Sequence, residues 1–255
     1  MYVLLQRIFL TVLLATVTVS LSSQALAQAS ECGNKRGKGS VALDEITWKK
    51  LNDVYEDVGE ELYDVAFEKL TKMYQRMHGD YERAVVAQAL AQVQWAREDY
   101  DSALTYFETA VEIDALPDLA HFSLMYQIAQ VYYMRERYDD ALDKLALWMC
   151  KVPAEKITAE SYVLKASIYA QKQDWRNVVS AADTAISMSD DPKEGWFQLK
   201  LASHFELEQF PMAAQTLQTM IQMWPDRKDY WVQLSQIDFK LKQYDEALSV
   251  MALAY

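Results

Sequence analysis

The sequence predicts an all-α protein made of antiparallel helix pairs stacked in a row. Three observations carry this. Glycine is scarce, 6 of 255 residues, and only Gly195 lies beyond residue 80, against a typical usage of about 7%. That argues against a turn-rich β fold and against Gly-rich phosphate loops over most of the chain. A phrase of the form aromatic-x-x-small recurs six times, with its aromatics at 63, 100, 138, 175, 210 and 244, spaced 37, 38, 37, 35 and 34 apart. Each copy carries apolar or small residues at offsets 0, 3, 7 and 10, the spacing of one helical face. Apolar residues at 51% and charged residues at 24% exclude wholesale disorder.

Residues 1–29 are expected to be a cleaved export signal. Arg7 precedes an uncharged apolar run beginning at Ile8, followed by Ser-rich sequence and Ala25-Leu26-Ala27-Gln28-Ala29. Small residues at 25 and 27, or at 27 and 29, suit a signal peptidase. The alternative is an uncleaved anchor in the inner membrane, because the uncharged stretch is nearly long enough to span. Residues 30–43 are expected to be a flexible tail and 44–255 the repeat array. Cys32 is not expected to be lipidated, since Glu31 stands where a small residue is needed. In an oxidising compartment two readings stay open for Cys32 and Cys150. Either they form a disulfide, closing a long loop for roughly 4–5 kcal/mol in the chain-entropy model, or one is a free tail thiol and the other a small core residue.

The repeat begins with Tyr63-Asp-Val-Ala66 and continues with Tyr100-Asp-Ser-Ala103, Tyr138-Asp-Asp-Ala141, Trp175-Arg-Asn-Val178, Phe210-Pro-Met-Ala213 and Tyr244-Asp-Glu-Ala247. The small residue is expected where a second helix crosses closely. Nine residues upstream of the aromatic stand Ala91, Ala129, Ala166 and Ser235, again small. Each unit therefore reads as a helix, a short polar turn such as Arg97-Glu98-Asp99, and a second helix that starts at the aromatic. Pro117, Pro153, Pro192 and Pro225 fall between units, where proline stops one helix and opens the next. Pro211 sits one residue into a second helix, where the first turn tolerates it.

This arrangement resembles the tetratricopeptide repeat (TPR), an antiparallel helix pair of about 34 residues. The resemblance covers roughly residues 44–255, in about six units with the last incomplete. It implies an α-solenoid whose pairs wind into a right-handed superhelix. Lys165 and Lys200 depart from the pattern at normally apolar positions, and Val178 replaces the alanine. The sequence stops at Tyr255 inside the last second helix, so a longer natural product is expected.

Catalysis is not expected. His78, His121 and His204 sit in different units without ligand spacing, and the common catalytic and phosphate-binding motifs are missing. No cofactor, metal or small-molecule substrate is implied. With 37 acidic and 25 basic residues, a net charge of −12, nucleic acid is an unsuitable partner. Function is expected to lie in a groove lined by first helices. Counting back twelve, eleven, eight and five residues from each aromatic projects its lining as Gln88, Gln92, Trp95, Tyr126, Gln127, Gln130, Tyr133, Gln198, Phe205, Gln233, Gln236 and Phe239. Glutamine both donates and accepts, so it can pair with an extended backbone, and aromatics can stack on Pro or Arg. The competing reading is that the glutamines are ordinary exposed helix formers and the aromatics are core. The cationic face that grips an acidic chaperone C-terminus is missing, so a basic or Pro-rich protein segment is the expected partner.

Several joints are more specific: Tyr81-Glu-Arg-Ala-Val-Val86, Ala115-Leu-Pro117, Lys193-Glu-Gly-Trp196 and Pro225-Asp-Arg-Lys-Asp-Tyr-Trp231. They resemble the exported TPR proteins of Gram-negative bacteria described as components of TonB systems. That resemblance implies a periplasmic adaptor contacting an inner-membrane TonB–ExbB–ExbD-type complex during uptake across the outer membrane. An envelope assembly factor acting on outer-membrane proteins or peptidoglycan machinery is the alternative.

Overall fold

The structure, a computed structural model, describes residues 37–39 and 41–254; the expected signal segment and Cys32 lie outside the described residues. Among the described residues there are twelve α-helices and no strand. They form six pairs: α1 (Glu45–Gly59) with α2 (Tyr63–Arg76), α3 (Asp80–Ala96) with α4 (Tyr100–Glu112), and α5 (Asp118–Met134) with α6 (Tyr138–Lys151). Then come α7 (Ala159–Gln171) with α8 (Trp175–Ser187), α9 (Glu194–Glu206) with α10 (Phe210–Met223), and α11 (Lys228–Lys240) with α12 (Tyr244–Ala254). A single 3₁₀ turn, Ala154–Lys156, follows Pro153. Each helix packs on the next, and first helices of neighbouring units also meet, α1 on α3 and α7 on α9. The first helices therefore share one side of the stack. None of the described helices is long and apolar enough to cross a membrane.

Sequence and packing agree at the crossing point. The small residue of each phrase is shielded from solvent: Ala66, Ala103, Ala141, Val178 and Ala213 are all 0% exposed. The small residues nine upstream of the aromatic, Ala91, Ala129 and Ala166, are fully buried as well. In the last pair Ser235 occupies that position and its hydroxyl donates to the Ala247 carbonyl (2.9 Å), so the polar atom is satisfied where the helices touch. Around α7 and α8 the buried residues split into two small clusters. Lys165 lies over the Tyr169 ring at 6.0 Å and Lys200 pairs with Asp183 at 2.6 Å. Both keep apolar stems against the helices while their charge finds a partner.

The turn inside each pair is the same hydrogen-bonded closure. In the second unit the Asp99 N–H donates to the Gln94 carbonyl (2.9 Å) and the Glu98 N–H to the Trp95 carbonyl (3.0 Å). The residue that closes the turn is left-handed in all six pairs: Glu61, Glu98, Glu136, Gln173, Glu208 and Lys242 have φ between 54 and 62°. Glycine normally takes this position because a Cβ is crowded there. This chain uses long polar residues instead, which helps to explain how a repeat protein can be so poor in glycine.

Three further contacts fasten the N-terminal stretch. Asp118 N–H donates to the Lys38 carbonyl (3.0 Å), and Lys38 N–H donates to the Asp118 carboxylate (3.1 Å), while the Lys38 ammonium pairs with Asp114 at 3.2 Å. Residues 37–39 are thus strapped to the joint between α4 and α5. Cys150, near the end of α6, is disulfide-bonded.

Two outcomes follow from these contacts. Glu136→Gly should stabilise the protein by about 0.5–1 kcal/mol, since it relieves a left-handed residue without removing a packed side chain; thermal unfolding measures it, and a lower midpoint would contradict the turn argument. Cys150→Ser, or reduction of the native protein, should lower the midpoint, with a loss of roughly 4 kcal/mol if the long-loop model applies.

Candidate protein-binding groove

The groove is built by α3 and α5, with α7 at its far edge. Both α3 and α5 are buried on the side facing α4 and α6, and their remaining faces turn outward together. Gln92, Gln127 and Gln130 are exposed there, and Trp95 and Tyr133 are half-buried. These five residues line one cavity of about 620 Å3. Phe107 and Val131, 4% and 2% exposed, reach it from the core. Met134 and Leu164 complete the wall, and Met134 stands 56% exposed. The lining carries no charged side chain. Chemically it offers amide donors and acceptors above an apolar floor, the combination that holds an uncharged extended polypeptide.

The other projected residues are not gathered into this cavity. Gln88 is half-buried beside it. Tyr126 turns away and packs against Trp148, ring centroids 4.8 Å apart. Burial, and then the negative charge of Glu160, hold the Tyr126 phenol above its ordinary value. Gln198 donates to the Tyr230 hydroxyl (3.0 Å), tying α9 to α11. Gln233 is half-buried and Gln236 exposed, both on α11 and remote from α3 and α5.

The aromatics five before each phrase have a second task that the projection did not anticipate. Trp95 packs on Tyr100 (5.1 Å), Tyr133 on Tyr138 (6.1 Å), Phe205 on Phe210 (6.4 Å) and Phe239 on Tyr244 (5.2 Å). Each pair spans the turn within a unit. Trp95 and Tyr133 serve both the turn and the cavity, whereas Phe205 and Phe239 lie outside it. Sequence reasoning missed Met134 and Leu164. Leu164 holds the same eleven-back position as Gln127, so the register was available, but a leucine in a helix reads as core.

The histidines are dispersed. His121 and His204 are 5% and 1% exposed and His78 is exposed. His204 Nδ1 is paired with Gln209 Oε1 at 3.0 Å, a structural bond across a turn. Among the described residues no cluster of three or more His, Cys, Asp or Glu could hold a metal ion.

Residues 89–148, spanning most of the second and third pairs, match the tetratricopeptide repeat family model. No curated protein matches the chain. A tetratricopeptide repeat protein from Parabacteroides merdae ATCC 43184 is a similar solved structure, 12% identical over 80% of this chain and 77% of that one, with a TM-score of 0.56. MamA is 13% identical over 67% and 89%, with a TM-score of 0.53. YrrB, described as a TPR protein with an unusual peptide-binding site, is 12% identical over 67% and 84%, with a TM-score of 0.50. At these identities the likeness is one of fold: the chain is a TPR α-solenoid. Proteins of this fold generally mediate protein–protein interactions and are typically non-enzymatic scaffolds.

Proposed function

We propose that the chain is an exported scaffold that holds an extended protein segment between α3 and α5, as a periplasmic adaptor in a TonB-type uptake system. The single observation that carries the binding role is the uncharged cavity in which Gln92, Gln127 and Gln130 stand beside Trp95 and Tyr133. Glutamine amides can match the alternating donors and acceptors of a strand-like segment. The two aromatics supply apolar area suited to proline or aliphatic side chains. Without a carboxylate in the lining, this cavity favours the Pro-rich or aliphatic part of a partner over its basic part. The export signal and the specific joints read from the sequence support the envelope location and the TonB assignment.

Gln92, Gln127 and Gln130 are exposed, and alanine is a better helix former than glutamine, so changing all three to Ala should leave stability within about 0.5 kcal/mol. A photo-crosslinking residue placed at Met134 in intact cells should capture a subunit of the TonB–ExbB–ExbD-type complex. The triple variant should reduce that capture at least tenfold. Undiminished capture would remove the groove from the account, and capture of outer-membrane assembly machinery instead would replace the TonB assignment. Amino-terminal sequencing of the exported protein should begin at Gln28 or Ser30; a chain retaining residues 1–29 would be membrane-anchored.

A further inference from the structure

The opposite side of the stack repeats a cationic contact that the last two described junctions lack. Arg97 pairs with Asp64 at 2.8 Å, Arg135 with Asp101 at 3.0 Å, and Lys172 with Asp139. In each case the cation stands three residues before the phrase aromatic, and the carboxylate is the Asp that follows the aromatic of the preceding unit. The protein's own cations, each at the C-terminal cap of a first helix, therefore tie the turn of one unit to the second helix of the unit before it. At the last junction the two positions are Leu241 and Pro211. Both border a cavity of about 800 Å3 among α10, α11 and α12.

Asp238 is buried in the wall of that cavity. It stands six residues before Tyr244 and is 6% exposed. The same position in several earlier units has a side-chain partner: in the first unit Asp57 pairs with Lys69 (2.5 Å). Gln94 donates to Asp99 (3.0 Å), Tyr132 donates to Glu108, and His204 pairs with Gln209 (3.0 Å). No described side chain bonds the Asp238 carboxylate. Gln243, the equivalent of Asp99 and Gln209, lines the cavity instead. Asp245 and Glu246 add two carboxylates from α12, and Gln215 and Gln218 add amide oxygens from α10. No Lys or Arg lines the cavity; nearby Lys240 is engaged 3.7 Å above the Phe210 ring.

We infer that this cavity is a binding site for an arginine side chain presented by a partner polypeptide. Its acceptors suit the five N–H donors of a planar guanidinium. The space far exceeds that of a bare ion, and no described cluster has metal-binding geometry. At the first three junctions Arg97, Arg135 and Lys172 already meet the carboxylate of the preceding unit; at the fourth the two positions are Leu207 and Arg176, so the fifth is where an acidic cavity stands without a cation of its own. A chain of net charge −12 attracts such a partner. Burial first, and then the charge of Glu246, push the Asp238 carboxyl above its ordinary value; an incoming cation offsets both. The site is separate from the groove between α3 and α5 and does not depend on its role.

The test titrates the isotope-labelled exported protein with an acetylated, amidated Gly-Gly-Arg-Gly-Gly peptide, followed by amide NMR shifts at low salt. Shifts should concentrate in α10, α11 and α12. The peptide with citrulline in place of arginine should not bind measurably, and the lysine peptide should bind more weakly. Asp238→Asn and the exposed Glu246→Gln should each weaken binding about tenfold, while Gln130→Ala leaves it unchanged. Asp238→Asn should also raise the unfolding temperature at neutral pH. The raised folded value means that the ionised carboxylate costs stability above the unfolded range. That gain should fade as the pH falls toward about 4. The groups facing Asp238 are Asp245 and Glu246 on α12, with the uncharged Gln215 and Gln218 on α10. Unchanged affinity in both variants, equal binding of citrulline or lysine, or shifts confined to other units would overturn the assignment.

Discussion

Everything in this molecule depends on how closely two helices cross within a pair. Ala66, Ala103, Ala141 and Ala213 of the phrases, and Ala91, Ala129 and Ala166 nine before an aromatic, have no exposed surface, so the helix backbones pass close together there. Larger side chains at those points would push the axes apart and misalign the next pair. Because each unit packs mainly on its neighbours, an error in one crossing would propagate along the row. The large residues at offsets 7 and 10, Leu70, Phe107, Leu145 and Trp148 among them, then fill the space beside the crossing. A void there would cost dispersion contacts as well as hydrophobic transfer energy.

The turns and the outer charges follow from the same geometry. A tight closure between antiparallel helices requires one left-handed residue, and this chain supplies a charged or amide side chain six times rather than glycine. The strain is modest and the closure satisfies carbonyls at the end of the first helix. One residue before the left-handed one, Arg97, Arg135 and Lys172 reach the Asp of the preceding unit. Each such exposed pair stabilises by only ~0.2–1 kcal/mol, yet their spacing explains why aspartate so often follows the phrase aromatic. The ladder stops at Leu207, where Arg176 stands in place of the Asp, and at Leu241, where the cavity wall is acidic.

The two sides of the stack therefore offer different chemistry. The inner cavity is uncharged and combines amides with aromatics, so it favours backbone hydrogen bonding and apolar contact. The outer cavity sets two carboxylates beside a buried one, so it favours a cation with several donors. A partner with a Pro-rich or aliphatic stretch and a separate arginine could use both. Linking two modest contacts on one partner raises the effective concentration of the second, which is how a scaffold without a deep pocket can still be selective.

The sequence by itself determined the period, the pairing of helices, the placement of Pro117, Pro153, Pro192, Pro211 and Pro225, and the buried small residues. These are consequences of helical pitch and local backbone sterics, which act over a few residues. It also placed Gln92, Trp95, Gln127, Gln130 and Tyr133 on a common side, because the face of a helix is fixed by 100° per residue. Only the tertiary structure decided which of the projected residues meet. Tyr126 leaves the groove for Trp148, Gln198 for Tyr230, and Phe205 and Phe239 remain with the aromatics across their own turns, since pairing between units depends on their relative rotation. The acidic outer cavity was equally hidden: Asp238 looks like a solvated charge in the sequence, and it is the stacking of α10, α11 and α12 that buries it without a donor.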